Sequence, residues 1–300
     1  MLLTKTQALT VADLSSPCGD MTLTADTGTL RVLSLQDKAA VERLLDQDQI
    51  AHCFVGSRLE DPHVWQHGDI WGWFENGQLI SALHHGANLI PIASTQAARN
   101  AFIKHLRTMH RRCSSIVGPA EEVIDLWTGV RPGWGPARDI RAHQPVLAMT
   151  ASTQVPADPA VRVVRPHEID VLLPACVDMF TEEVGVSPVS GGAVGPYRNR
   201  ILDIITAGRS LARIEDGQVI FKAEVGAVWK GVAQVQGVWV RPDRRGEGLS
   251  VAGMAAVVEH VRAHIAPTVS LYVNDFNTAA RSAYTRVGFQ QVGVFATVLF

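Results

Sequence analysis

The sequence predicts an α/β (α+β) protein of two tandem mixed-sheet domains. The chain is 300 residues long, about twice a typical domain, and its 47% hydrophobic content is enough for two cores. A short connector, A-S-T-Q-V-P-A-D-P-A at 151–160, separates two runs of strand and helix patterns; its two prolines and small polar residues give a semi-extended link. The expected domains are therefore 1–150 and 161–300, with 1–28 as a loosely assigned lead-in.

In the first domain, residues 1–28 are rich in Thr, Ser, Ala and Asp and weakly periodic, which fits a lead-in or an added hairpin. Residues 30–33 suit a strand, and Ala40, Val41, Leu44 and Leu45 share one face of a helix over 37–48. Strands at 71–74 and 79–83 flank Asn76-Gly77, a pair that tolerates the positive φ of a hairpin turn. Residues 84–92 continue that strand or open another. Ser94 caps a helix to about Arg112, 115–117 is a strand, Pro119 opens a helix through Trp127, and 140–149 is the closing strand. Five of the seven tryptophans precede residue 150, which fits core packing in a mixed sheet.

The second domain opens with a strand at 161–164 and a helix at 166–184. That helix aligns Leu172, Leu173, Cys176, Phe180 and Val184 and contains Pro174, a kink position. The glycine-rich segment 185–195 follows and is expected to face substrate. Next come a helix at 197–207 and strands at 210–214, 219–229 and 232–240. A helix at 248–265 packs through Met254, Val257, Val258, Val261 and Ile265 and is stopped by Pro267. A strand at 268–273 and a last pair of strands, 288–292 and 294–300, complete the pattern.

Composition excludes several classes. A net charge of -2 provides no basic field, so nucleic acid is not an expected partner. No apolar run reaches the roughly 18 residues of a membrane span, and the start does not resemble a signal peptide, so a soluble cytoplasmic protein without a membrane partner is expected. Cys18, Cys53, Cys113 and Cys176 show no C-x-x-C spacing and read as reduced thiols. His84 and His85 are neighbours that a strand would point to opposite faces, and Glu182-Glu183 lacks the spacing of a calcium loop. No metal is expected.

The chemistry concentrates at 235–250, V-Q-G-V-W-V-R-P-D-R-R-G-E-G-L-S, where a β-rich run breaks at Pro242 and turns through Gly246 and Gly248 into a helix. Helix-start N–H groups have no intrahelical partner, and the helix dipole adds partial positive charge, so such a turn suits a pyrophosphate. The run is neither a Walker loop nor a dinucleotide fingerprint. Arg245, Gly248 and Ser250 form R-x-x-G-x-(small), and Asn277-x-x-Ala280-x-x-x-Tyr284-x-x-x-Gly288-Phe289 follows a strand downstream. In that order the two motifs resemble the pyrophosphate loop and the second cofactor motif of the GNAT superfamily of N-acetyltransferases. The resemblance covers about 161–300, with Ser250 where the family usually has Gly or Ala. The chain's ending is similar to two-domain actinobacterial proteins that join such a domain to an N-terminal domain of unknown function. The first domain's element order resembles a degenerate, acyltransferase-like copy of the same fold, with I-P-I-A-S at 90–94 where flexible glycines would stand.

The resemblance implies direct transfer of an acyl group from acetyl-CoA, or a related acyl-CoA, to an amine of a small molecule or peptide. It assigns Val238, Trp239 and Val240 to orienting pantetheine and polarising the thioester carbonyl. It assigns Arg245, Gly246, Glu247, Gly248, Leu249 and Ser250 to the pyrophosphate, and Asn277 to positioning CoA. Tyr284 becomes the general acid, since a phenol of pKa ~10 can protonate a departing thiolate. Where relatives commonly carry a glutamate, this chain has Gln236-Gly237, and glutamine accepts no proton. The base is open among Glu224, Glu182, Glu183, a water held by Gln236, and the terminal carboxylate of Phe300. The missing glutamate also fits a catalytically silent acyl-CoA sensor or interaction module. The acceptor and the oligomeric state stay open.

Overall fold

The computed structural model describes residues 23–25 and 28–300, so most of the expected lead-in, including Cys18, lies outside the described residues. The first half runs β1 (Leu23–Ala25), β2 (Gly28–Val32), α1 (Lys38–Leu45), α2 (Cys53–Leu59), β3 (Ile70–Glu75), β4 (Gln78–His85), β5 (Asn88–Ile92), α3 (Gln96–Leu106), β6 (Ser115–Pro119), α4 (Ala120–Trp134) and β7 (Asp139–Met149). The second half runs β8 (Arg162–Val163), α5 (Ile169–Val184), α6 (Val194–Thr206), β9 (Ser210–Glu215), β10 (Gln218–Trp229), β11 (Val232–Val240), α7 (Leu249–His264), β12 (Thr268–Tyr272), α8 (Thr278–Val287) and β13 (Gln290–Leu299).

All these strands form one 13-stranded sheet in the order β1-β2-β3-β4-β5-β6-β13-β7-β12-β11-β10-β9-β8. Two pairs are parallel, β5 with β6 and β11 with β12, and each is joined by a crossover helix, α3 or α7, as parallel strands require. The last strand of each half crosses into the other. β7 pairs with β12, β13 pairs with β6, and the two meet antiparallel at the centre through Val294↔Pro145 and Phe295↔Gln144. The connector at 151–160 thus divides the chain while the sheet continues through both halves.

The helices close four cores. α3 and α4 cover Ala296 and Val298 of β13 together with Leu89 and Ile116; α7 and α8 cover Leu147 and Met149 of β7 together with Phe221, Val235 and Val269. α5 and α6 pack Leu172, Cys176, Tyr197 and Ile201 against Ala212, Val219 and Trp239. The fourth core joins the halves, because α1 and α2 bury Val41, Leu44, Cys53 and Val55 with Ala227, Trp229 and Val232 of the second half. Gly56 permits this contact, since a Cβ there would meet the Trp229 ring at 2.5 Å.

Several elements differ from expectation. The two expected final strands are one strand, β13, which bulges where Gln291 pairs Leu147 and Gly293 pairs Val146, pushing Val292 outward. Helix α4 runs past Trp127 because Val130 and Trp134 also face the core. Helix α5 starts at Ile169 and continues through Pro174 to a left-handed cap at Gly185. Helix α2 was not expected from the sequence pattern. Cys53, Cys113 and Cys176 are free and buried. No helix among the described residues is long and apolar enough to cross a membrane.

Candidate active site

The site begins where two parallel strands separate. β11 and β12 pair only through Val232↔Thr268, Ala233↔Val269 and Gln234↔Ser270. Beyond Gln234, β11 continues along β10 alone, through Gln236↔Glu224, Trp239↔Lys222 and Val240↔Phe221. Its edge toward β12 is therefore unpaired over 235–240. A bulge at Gly237, held at φ +59°, sharpens the divergence, and glycine adopts that left-handed conformation without a Cβ penalty.

At the end of β11 the chain passes a single 3-10 turn, Pro242–Arg244, and reaches Gly248 in the left-handed region at φ 79°, the residue immediately before α7. Among the described residues, no protein acceptor receives the N–H groups of Gly246, Glu247, Gly248, Leu249 and Ser250. Nothing lies within 4 Å of a Cβ built on Gly246 or Gly248, so the loop faces open space. The Arg245 side chain is engaged, donating to the Val240 carbonyl at 3.1 Å and to Glu182 at 2.6 Å. Glu182 also accepts from Trp239 Nε1 at 3.1 Å, tying the last turn of α5 to the end of β11. Val238 and Val240 are half-buried against the α7 core.

Tyr284 lies on α8, 7% exposed, with its ring edge-on to Phe289 at 5.9 Å. Its hydroxyl makes no hydrogen bond among the described residues. Burial first, and the negative charge of Glu183 second, push the phenol well above its ordinary pKa, so it carries its proton at neutral pH. Asn277 caps α8 by accepting the Ala280 N–H at 3.1 Å.

Glu224 stands on the face of the sheet covered by α5 and α6. It is two residues from Lys222 on β10, so both point the same way, opposite Ser210 and Ala212 of β9. Glu224 accepts from Gln236 Nε2 at 2.7 Å and faces Lys222 Nζ at 3.7 Å, with the two charged side chains 5% and 0% exposed. Gln236 reaches Glu224 by lying over Gly226, where any Cβ would collide with it. The position of the absent glutamate is thus filled by a glutamine that holds a glutamate on the neighbouring strand. Lys222 is a site residue that was not expected; its one signal in the sequence is a Lys and a Glu two apart inside an otherwise apolar strand, V-I-F-K-A-E-V.

Phe300 is not brought to this group. Its ring packs edge-on against Trp127 at 5.6 Å and Trp134 at 6.1 Å, lies under the Arg111 guanidinium at 4.3 Å, and its N–H donates to Ser114. All four neighbours belong to the first half. Glu183 reaches instead toward Arg141 of β7, and Arg141 and Arg138 donate to the Glu183 and Val184 carbonyls at the end of α5.

The first half repeats the divergence without the loop. β5 and β6 pair only through Asn88↔Ser115 and Leu89↔Ile116. Where the second half offers free amides, Glu122 takes the Ser94 N–H at 3.0 Å and the Ser94 hydroxyl, while the buried Arg99 donates to the Ser94 carbonyl at 2.5 Å. Here the chain's own carboxylate takes the amide at the turn.

This fold, a mixed sheet opened at a parallel pair and followed by a glycine turn into a helix, is that of the GNAT acetyltransferases, present here in tandem. Residues 181–289 match the acetyltransferase (GNAT) family and residues 68–172 match DUF4081, a domain of unknown function, so the chain carries a GNAT domain behind a DUF4081 domain. Among solved structures it is similar to a GCN5-related N-acetyltransferase from Sphaerobacter thermophilus, with TM-score 0.57, 16% identity, and 92% of this chain and 96% of that chain covered. A tandem GNAT protein from the clavulanic acid biosynthesis pathway gives TM-score 0.52 at 14% identity over 89% and 97% of the two chains. A Drosophila protein gives 0.60 at 14% identity over 90% and 98%. No curated protein matches the chain. The fold supports acyl transfer in general terms, and no group of His, Cys, Asp and Glu among the described residues is arranged to hold a metal.

Proposed function

We propose that the protein is an acyl-CoA-dependent N-acyltransferase that passes an acetyl group directly from acetyl-CoA to an amine, using 161–300 as the catalytic domain and 1–150 as a supporting one. The observations that carry this reading are the opening between β11 and β12 beyond Gln234, the buried Glu224 held by Gln236 on β11, and the free amides at 246–250 past the end of that strand. Those amides and the positive end of α7 suit the pyrophosphate. The unpaired edge of β11 at Val238, Trp239 and Val240 suits pantetheine and the thioester carbonyl.

Glu224, directly or through a water, takes the proton from the acceptor ammonium. The amine then attacks the carbonyl carbon, the C–S bond breaks as Tyr284 protonates the departing thiolate, and the surplus proton on the new amide nitrogen returns to the Tyr284 oxygen, directly or through water. Burial keeps the phenol protonated at neutral pH and so available as the donor, while its raised pKa makes it a weaker acid than an ordinary phenol. Asn277, whose Oδ1 is used by the helix cap, retains its amide N–H groups for CoA. The Phe300 carboxylate has no part in this reading, because its residue is anchored by Trp127, Trp134 and Ser114.

The test is to mix the purified protein with acetyl-CoA and a panel of amines, peptides and arylamines while following free thiol, with CoA binding measured separately by calorimetry. Thiol release that falls by about 100-fold or more in Tyr284→Phe, with CoA affinity kept, is the expected result. Saturable CoA binding without release for any amine would make the protein an acyl-CoA sensor. No binding would remove both readings.

A further inference from the structure

An apolar groove lies at the junction of the two halves, on the face of the sheet that α2 covers. It holds about 260 Å³ of empty space, counting its open mouth. Ala51 just before α2, Phe54 within it and Tyr272 at the end of β12 are the partly exposed residues of its lining and form the mouth. Ile90 of β5, Val117 of β6 and Phe295 of β13 are buried and form the floor. The Tyr272 and Phe295 rings stand 5.4 Å apart.

Strand divergence leaves this space. β5 and β6 part after Leu89↔Ile116, and Ile90 and Val117 are the residues immediately past that last pair. The lining carries no charged side chain, and its one polar side-chain atom is the Tyr272 hydroxyl. Gln144, which pairs with Phe295, is taken up elsewhere: it accepts from Thr297 at 2.6 Å and donates to Asn274 at 2.9 Å. Water in such a groove finds few hydrogen bonds, so an apolar group displaces it favourably, whereas a charged group would lose its hydration without replacement.

The groove borders the opening in the second half. β11 and β12 pair only as far as Gln234↔Ser270, and Tyr272 lies two residues past Ser270, where β12 has left β11. Ala233, Val235, Val269 and Leu271 are buried with α7, so by alternation Gln234, Gln236, Ser270 and Tyr272 turn to the opposite face, that of α2. Gln236 donates there to Glu224 at 2.7 Å. Paired strands stand about 4.8 Å apart, so Gln236 and Tyr272, on strands that have parted, flank a wider gap.

We propose that this groove is the specificity subsite for the acceptor, and that it selects an amine joined through a short chain to an uncharged apolar group, aromatic or branched. The amine meets Gln236 and Glu224, and the apolar group enters between Phe54 and Tyr272 to lie on Phe295. The proposal rests on the acyltransferase reading for its purpose. It gives α2 of the first half a part in choosing what the second half acylates.

The probes are phenethylamine, ethylamine and 4-(2-aminoethyl)benzoate, titrated calorimetrically into the full-length protein alone and with CoA. Phenethylamine is expected to bind at least about tenfold more tightly than ethylamine, the low end of what burying a phenyl group provides, and the carboxylate is expected to abolish that preference. Two variants locate the effect. Ala51→Trp, at the partly exposed mouth, fills the groove and should bring phenethylamine to within about threefold of ethylamine; Phe54→Ala removes one wall and should weaken phenethylamine alone, by about threefold or more. Should Ala51→Trp fail to fold, Phe54→Ala decides. Equal affinity for phenethylamine and ethylamine, equal affinity for phenethylamine and its carboxylate, no binding of any probe, or a preference unchanged in the folded variants would overturn the proposal. Failure of CoA to bind, or a bound amine that releases no thiol from acetyl-CoA, would count against the acyltransferase reading alone, because the amine titrations judge the groove without it.

Discussion

Replacing Glu224 with Gln tests the centre of the site. The change keeps the side chain's shape and removes its charge, leaving the Lys222 ammonium, 0% exposed, without the carboxylate that stands 3.7 Å away. Breaking a buried pair by removing one partner costs about 3–5 kcal/mol, because the remaining charge stays desolvated. Removing both charges in Lys222→Met/Glu224→Gln should recover most of that loss, since an apolar replacement no longer needs a counter-charge. Urea denaturation of the wild type, the two single variants and the double variant closes the cycle. Turnover should separate structure from chemistry: it should fall by about 100-fold or more in Glu224→Gln and should not return in the stabilised double variant. A Glu224→Gln protein less than about 1 kcal/mol weaker than wild type would refute the reasoning, because a buried ammonium that loses the carboxylate paired with it stays desolvated.

Two further outcomes follow from single residues. Gly248→Val should destabilise the protein by about 1–2 kcal/mol, since a β-branched residue is strained at positive φ, and should abolish CoA binding. Gly248→Asn should be milder on stability, and normal CoA affinity in the Val variant by calorimetry would move the pyrophosphate elsewhere. Burial, and then the charge of Arg112, lower the His85 pKa from 6.5 to about 4. The unfolded chain therefore binds the extra proton first, so stability is full above pH 6.5, declines between 6.5 and about 4, and levels below. Urea melts across that window should show a shallower decline in His85→Gln, though His84 and His105, also lowered by burial, keep part of the slope; an unchanged slope would remove His85 as a contributor.

The legible features of the chain are the local ones. The turn of β11 into α7 is written in Pro242, Gly246 and Gly248, because proline ends a strand and glycine alone enters the left-handed region freely. Asn277 and Tyr284 were legible through the motif that resembles the acetyltransferases', while the capping of α8 by Asn277 was seen only in the structure; the hairpin at Asn76-Gly77 follows from turn chemistry. The lack of flexible glycines at 90–94 was legible in the sequence, whereas the bond from the Ser94 N–H to Glu122 was not.

The sequence by itself therefore determined most of the elements, though not α2 or the single strand β13, and the course of the glycine turn, since each depends on residues within a few positions of one another. Only the tertiary structure decided what meets across distance. The exchange of β7 and β13 depends on strand pairing between residues about half the chain apart, which alternation along one strand cannot specify. The contact of α2 with Trp229, the turning of Lys222 toward Glu224 and the distance of Phe300 from both arise from how separate apolar faces are buried together, and that is settled only when the whole chain packs.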